Sequence, residues 1–392
     1  MSIALTSAHV VPISGAPFTG TVLIEGSSIA ALGPEVAIPA GVEVIDVDGG
    51  WVLPGFVDAH VHLGVAEEGE GWAGEDTNEM TDPVMAAARA IDAINPADIG
   101  FDDALSGGVT SVNVNPGSGN PIGGLTVALK CYGRYVDEMV LRSPSGVKSA
   151  LGENPKRIYG EQNKTPSTRL GVALTLRQAF TAARAHQASL HARAATQDPA
   201  VAPVAGDLTH EALIQVLDRQ IPWRQHCHRA DDIATALRIA EEFGYDLVLD
   251  HGTEGYLLAD LLAQRSIPVL YGPMIVSRSK VEVRQRTAKG PGILDRAGVD
   301  VSIITDHPVV PIEHLVTQAA LAVKEGMDRD AALRAITLNP ATVMGVAERV
   351  GSLEPGKDAD VVLWTGDPLV FESRPSRVWI GGEEVYTYDE AS

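Results

Sequence analysis

Leu53-Pro54-Gly55-Phe56-Val57-Asp58-Ala59-His60-Val61-His62 reads as a buried strand that ends in two histidines. Residues i and i+2 of a strand point to the same face, so both imidazoles project together with about 7 Å of rise between them. Such a pair is half of a divalent-metal chelate. The plainer reading is two histidines without a role on a half-exposed strand. Further ligands at the ends of other strands decide between the two.

Downstream the chain alternates strand and helix. Residues 109–114, 147–151, 222–228, 246–251, 267–270 and 299–305 have the apolar, β-branched texture of strands. Residues 231–243 carry the helical period, with Ile233, Leu237, Ile239, Ala240 and Phe243 on one side. Asp231 or Asp232 is placed to cap that helix, and Gly244 to stop it. Helices are also expected over 313–324, 330–336 and, as one long element, 177–193. Alternation of this kind calls for a parallel sheet wrapped by helices, and about seven or eight units point to a closed (β/α)8 barrel. After 147–151 no clean next strand is visible in the sequence.

Residues 3–7, 20–25, 28–32 and 43–46 read as short strands broken by Gly and Pro, and 359–365, 377–380 and 383–386 read alike. Neither end has the apolar surface for its own core, so the two are expected to meet in one small β-sandwich. In the expected organisation, residues 1–53 and 346–392 together build that sandwich, and residues 54–345 form an α/β TIM-like barrel.

The chain has 392 residues, is 45% hydrophobic and 21% charged, and has a formal charge of −21. That charge argues against nucleic acid or an anionic membrane surface as partners, since either demands a basic face. No run of about 18 apolar residues suggests a membrane span. The first residues lack a basic, apolar leader, so the expected location is the cytoplasm. Cys131 and Cys227 are too few for a disulfide framework and fit a reducing compartment. Homo-oligomerisation is expected on general grounds.

Chemistry on a (β/α)8 barrel sits at the C-terminal strand ends. His60 and His62 close the first strand, His226 and His228 a later one, His251 the next, and Asp306 the last. Five of the eleven histidines thus fall at expected strand ends. Imidazole nitrogens and a carboxylate converging from several strands suit zinc or a similar divalent ion. Such an ion lowers the pKa of a water from about 15.7 towards 7, and Asp306 is placed to shuttle its proton.

With those residues in view, the chain resembles the amidohydrolase superfamily. Asp58-Ala59-His60-Val61-His62 after Leu53-Pro54-Gly55-Phe56 carries the resemblance, with His251-Gly252-Thr253, Thr305-Asp306, Thr337-Leu338-Asn339-Pro340-Ala341 and 351–360 in support. The nearest branch is the imidazolonepropionase-like amidohydrolases. The resemblance implies one or two metal ions per chain and hydrolysis of a C–N bond in an amide, cyclic amide or amidine-like group. It places His226 as the fifth-strand ligand and His228 in a second-layer or substrate-facing position, with exchange of the two left open. A bridging ligand is expected to be Glu153, beside its Gly-Asn-Pro turn, with a carboxylated Lys148 as the alternative.

The implied metal ligands are therefore His60, His62, Glu153, His226, His251 and Asp306, and the catalytic groups Asp306, His251 and His228. Asn120, in the glycine-rich loop expected over 115–124, and Arg278 or Lys280 are candidate substrate-binding groups; a structural or surface loop competes with each. The acidic stretch 67–76 reads as either a flap or a solvated loop. A small-molecule or short peptide-derived substrate is expected. A deaminase or imidazolone ring-opening enzyme is the nearest rival, weakened because His228, Asp231 and Asp232 stand where a glutamate is usual. A non-catalytic scaffold of the same fold is the second rival, although no expected His or Asp is missing.

Overall fold

The computed structural model describes residues 2–195 and 203–389. Eight strands form the central sheet in chain order: Phe56–Val61, Val109–Val114, Ile122–Lys130, Val140–Ala150, Trp223–Cys227, Leu247–His251, Val269–Tyr271 and Val301–Ile303. Most are buried along their whole length, as strands covered on both faces must be. The ring closes at its mouth through irregular backbone. Asp306 N–H donates to the His60 carbonyl at 3.2 Å, and His62 N–H to that of His307 at 2.9 Å.

One strand departs from a pure (β/α)8 barrel. Ile122–Lys130 runs antiparallel to both neighbours. Antiparallel neighbours need no helical crossover, so a loop joins the second strand to the third and a one-turn helix, Val136–Met139, precedes the fourth. Part of the expected glycine-rich loop is therefore strand. Gly123 and Gly124 hide it, because glycine is depleted in strands. Gly124 has φ +134°, and a Cβ there would collide with the Ala88 carbonyl oxygen, which accepts from Leu125 N–H at 2.7 Å. Gly124→Ala is expected to cost about 1–3 kcal/mol in chemical denaturation; an unchanged midpoint would contradict this close approach.

Among the described residues, the gap after the fourth strand is an excursion of three helices, Glu153–Glu161, Arg169–Ala194 and Leu208–Leu217, before the fifth strand begins. Thr168 caps the long one, its Oγ1 accepting from Gly171 N–H at 3.0 Å. The helix expected from residue 231 spans Ala230–Phe243 and ends at Gly244 in the left-handed region. Neither aspartate caps it. Asp231 pairs with Arg229 and Asp232 with Arg169, while the Glu254 carboxylate accepts from Ala230 N–H at 2.9 Å.

The two chain ends do meet, in one branched eight-stranded sheet rather than two separately bonded ones. Trp51–Pro54 pairs antiparallel with Val361–Trp364, and Ile3, Leu5, Val22, Val361 and Trp379 share a core. That joint matters for the site. Trp51–Pro54 passes through Gly55 straight into Phe56–Val61, and Phe56 packs on Trp364 with ring centroids 5.2 Å apart. The strand bearing the paired histidines is anchored at its start by both termini.

Candidate metal centre

Each imidazole at the barrel mouth has a definite setting. His60 Nδ1 lies 2.9 Å from Asp250 Oδ2, His62 Nδ1 is 2.8 Å from the Asn115 carbonyl, and His251 Nδ1 is 2.9 Å from that of Gly272. An Nδ1–H given to an oxygen leaves Nε2 as the lone-pair nitrogen, the tautomer a metal needs. His228 Nδ1 contacts Thr253 Oγ1 at 2.8 Å, and its Nε2 is buried without a partner. Both nitrogens of His226 are buried and without a hydrogen-bond partner among the described residues, although its ring centroid lies 4.4 Å from that of His251. A buried imidazole with no hydrogen bond is costly unless something else takes its lone pair.

Two donor groups result. His60, His251 and Asp306 form one; His226, His228 and His251 form the other; within each, one atom per residue lies within 4.8 Å of the rest. Asp306 Oδ1 is 3.3 Å from Nε2 of both His60 and His62. His251 and Asp306 have positive φ, +73° and +55°, where the chain turns out of the sheet. Burial, then repulsion from neighbouring imidazoles, holds His226 well below the ordinary histidine range. For His228, burial comes first and the Lys280 ammonium second. Burial also brings His251 to about 3, against the pull of Asp306. Neutral imidazoles are the form that ligates. Asp306 stays well below the usual carboxylate range: burial opposes its charge, and His251, His60 and His62 outweigh it. Donor type, free lone pairs and spacing all fit a divalent cation.

The two bridging candidates, Glu153 and Lys148, have different settings. Lys148, 1% exposed on the fourth strand, has Nζ 3.0 Å from His60 Nε2 and 3.8 Å from Asp250 Oδ2. Burial lowers its amine to about 8. Glu153 joins neither donor group. The strand ends at Ala150, and Leu151-Gly152, with Gly152 at φ +95°, carry the chain off the barrel before it. Glu153 then opens a helix, its N–H donating to Glu282 at 2.7 Å.

Three buried groups that sequence reasoning passed over position the ligands. Asp250 takes His60 on one oxygen and Arg224 on the other, at 3.2 Å. Burial opposes its charge, but Arg224, His60 and Lys148 keep its carboxyl below the usual range. Arg224 also donates to the Ala59 carbonyl at 2.6 Å. Asp58 accepts from Thr305 N–H at 2.9 Å and Thr305 Oγ1 at 2.6 Å, tying the first strand to the eighth; burial raises it to about 7. Charged residues inside otherwise apolar strands were the available clue.

A cavity of about 430 Å³ opens over the centre, lined by His62, His226, His228 and His251 and by Lys148, Lys280 and Arg286 among others. Of the substrate-binding candidates, Asn120 and Arg278 do not line it. Asn120 is a structural tie, donating to the Glu79 and Asp82 carbonyls at 2.7 and 2.8 Å. Arg278 is exposed and donates to the Arg284 carbonyl at 2.8 Å. From the acidic stretch only Glu75, with Ala66 just before it, reaches the cavity wall, and Trp72 is 92% exposed.

An eight-stranded barrel that gathers imidazoles, an aspartate and a buried lysine at one mouth defines a hydrolase-type metal centre. The chain belongs to the amidohydrolase family, which residues 51–385 match, and within it to the imidazolonepropionase-like branch. The imidazolonepropionase of Maricaulis maris is 26% identical over 91% of this chain and 89% of its own. Amidohydrolase tasK of Hapsidospora irregularis is 30% identical over 93% of this chain, which spans only 39% of that protein's length. The crystal structure of an amidohydrolase from Thermotoga maritima MSB8 superposes with a TM-score of 0.95 at 43% identity, covering 98% of this chain and all of that one. Among the described residues, no helix is long and apolar enough to cross a membrane.

Proposed function

We propose that the protein is a metal-dependent hydrolase that cleaves a C–N bond in a small amide or cyclic amide. The observation that carries the reading is His226. It is buried at the barrel mouth with both nitrogens unpartnered, within a donor group that shares His251 with the group containing His60 and Asp306. His60, His62 and Asp306 would hold one ion and His226 and His251 a second, with Lys148 between them as the bridge in place of Glu153. A bridging lysine needs an anionic end, which carbamate formation supplies: the amine nitrogen bonds the carbon of CO2 and releases a proton. The imidazole-rich donor set favours zinc.

When bound, the ion supplies Lewis acidity and lowers the pKa of a water towards 7. The chain's own groups do the rest. Asp306 accepts a proton from the attacking water and delivers it to the departing nitrogen. His228 would donate from Nε2–H to the scissile carbonyl, its Nδ1 accepting from the Thr253 hydroxyl. The cavity suits a molecule of dipeptide size and not a folded protein.

The test is metal content per chain, with turnover of N-acyl amino acids, dipeptides and cyclic imides before and after chelation. About two zinc per chain, and turnover lost on chelation and restored by zinc, is expected. Full turnover by the metal-free protein, or none from the metal-loaded one, would overturn the proposal.

A further inference from the structure

The cavity above the metal centre is lined by cations that, outside the centre itself, form no ion pair among the described residues. Its lining contains three cations, Lys148, Lys280 and Arg286, and two carboxylates, Asp306 and Glu75. Lys148 and Asp306 belong to the centre itself. Glu75 is engaged locally, its Oε1 accepting from Thr77 N–H at 3.3 Å and from the Thr77 hydroxyl. Lys280 and Arg286 are the lining cations outside the centre.

Lys280 forms no ion pair within 4.0 Å among the described residues; its one hydrogen bond goes to Asn154 Oδ1 at 3.4 Å. Glu282 and Glu153 act on the Lys280 ammonium from beyond ion-pair distance, and Glu282 is itself committed to other partners. Its Oε1 accepts from Arg169 at 2.8 Å and from Glu153 N–H at 2.7 Å, which clamps the loop carrying Lys280 to the end of the fourth strand. Arg286 donates one bond from its guanidinium, to the Met274 carbonyl at 3.0 Å, and its Nε is buried without a partner. The Lys280 ammonium lies close enough to the centre to act on His226, His228 and Asp306. In a chain of net charge −21, two such cations facing one cavity select an anion.

We infer that Lys280, supported by Arg286, is an anion anchor that binds a carboxylate of the substrate remote from its scissile bond. The inference rests on the hydrolase reading and narrows it: N-acyl amino acids, dipeptides and cyclic imides bearing a free acid are substrates, and their neutral counterparts are poor ones. Lys280 is a binding residue in this scheme. Its charge fixes the far end of the molecule while Asp306 and the imidazoles face the carbonyl.

The experiment compares matched pairs, each free acid against its primary amide, in wild type, Lys280→Met and Lys280→Arg, with metal content measured for every protein. The wild type is expected to prefer the acid by roughly 10- to 100-fold in kcat/KM, mostly through KM, the worth of one charge-assisted hydrogen bond. Lys280→Met should bring the ratio towards one, and Lys280→Arg should keep most of it. A second arm uses a non-cleavable ketomethylene analogue, as acid and as amide, and measures its affinity for the metal-loaded protein by calorimetry. Equal handling of acid and amide by wild type, or an undiminished preference in Lys280→Met, overturns the anchor. If no pair turns over but the analogue still binds as the acid in a Lys280-dependent way, the anchor stands and the hydrolase reading falls.

Discussion

Replacing Asp306 with asparagine is expected to lower kcat by roughly a hundred- to ten-thousand-fold while leaving the fold intact. Asp306 has φ +55°, a left-handed conformation that asparagine tolerates better than most residues, so the turn out of the eighth strand survives. The backbone bond from residue 306 N–H to the His60 carbonyl does not depend on the side chain. What is lost is the charge that Oδ1 presents, 3.3 Å from both His60 and His62, and with it the group that can accept a proton. An amide oxygen can still ligate weakly, so metal content should fall by less than activity. The measurement is kcat alongside metal stoichiometry and the thermal midpoint. A variant that keeps wild-type kcat with full metal would remove Asp306 from the proton path.

The strand ends that carry the candidate ligands are legible in the sequence because they combine two independent signals. His60, His62, His226, His228, His251 and Asp306 each terminate an apolar run, and polar residues at that place in a barrel have no packing reason to be there. All six lie at the barrel mouth, in the two donor groups or against them. The third strand is illegible for a local reason. Its first residues, Ile122-Gly123-Gly124, follow a Pro-Gly-Ser-Gly-Asn-Pro sequence, so turn chemistry masks the apolar alternation of Leu125, Val127 and Leu129. Its antiparallel sense depends on pairing with both neighbours, which no window of sequence contains.

Glu153 lies in neither donor group, because a residue close to a turn in sequence need not be close to the barrel mouth in space. On the strand itself, residues 148 and 150 share one face, and the side chain long enough to reach His60 is Lys148. Lys280 is separated from Arg278 by the same kind of tertiary detail. One side chain lines the cavity and the other is exposed, although they lie two residues apart on one loop.

The two bridging candidates give opposite outcomes on substitution. Lys148→Met keeps the length and apolar stem of a side chain that is 1% exposed, and so avoids a large cavity. It removes the amine 3.0 Å from His60 Nε2 and, with it, the atom placed to become a bridge. In the metal-free protein it also removes a positive charge from beside Asp250, which Arg224 and His60 still hold. Metal content is expected to fall from about two per chain to one or fewer, and kcat by roughly a hundredfold or more. Glu153→Gln should leave both unchanged, because the bond from residue 153 to Glu282 is made by the backbone N–H and the carboxylate is in neither donor group. Mass spectrometry of the intact protein under non-denaturing conditions adds a direct reading, since a carbamate on Lys148 adds the mass of CO2 and Lys148→Met cannot carry it. Two metals retained in Lys148→Met, or lost in Glu153→Gln, would return the bridge to Glu153. In that case the segment after Gly152 would have to swing into the barrel mouth when metal binds, breaking the bond that clamps it to Glu282.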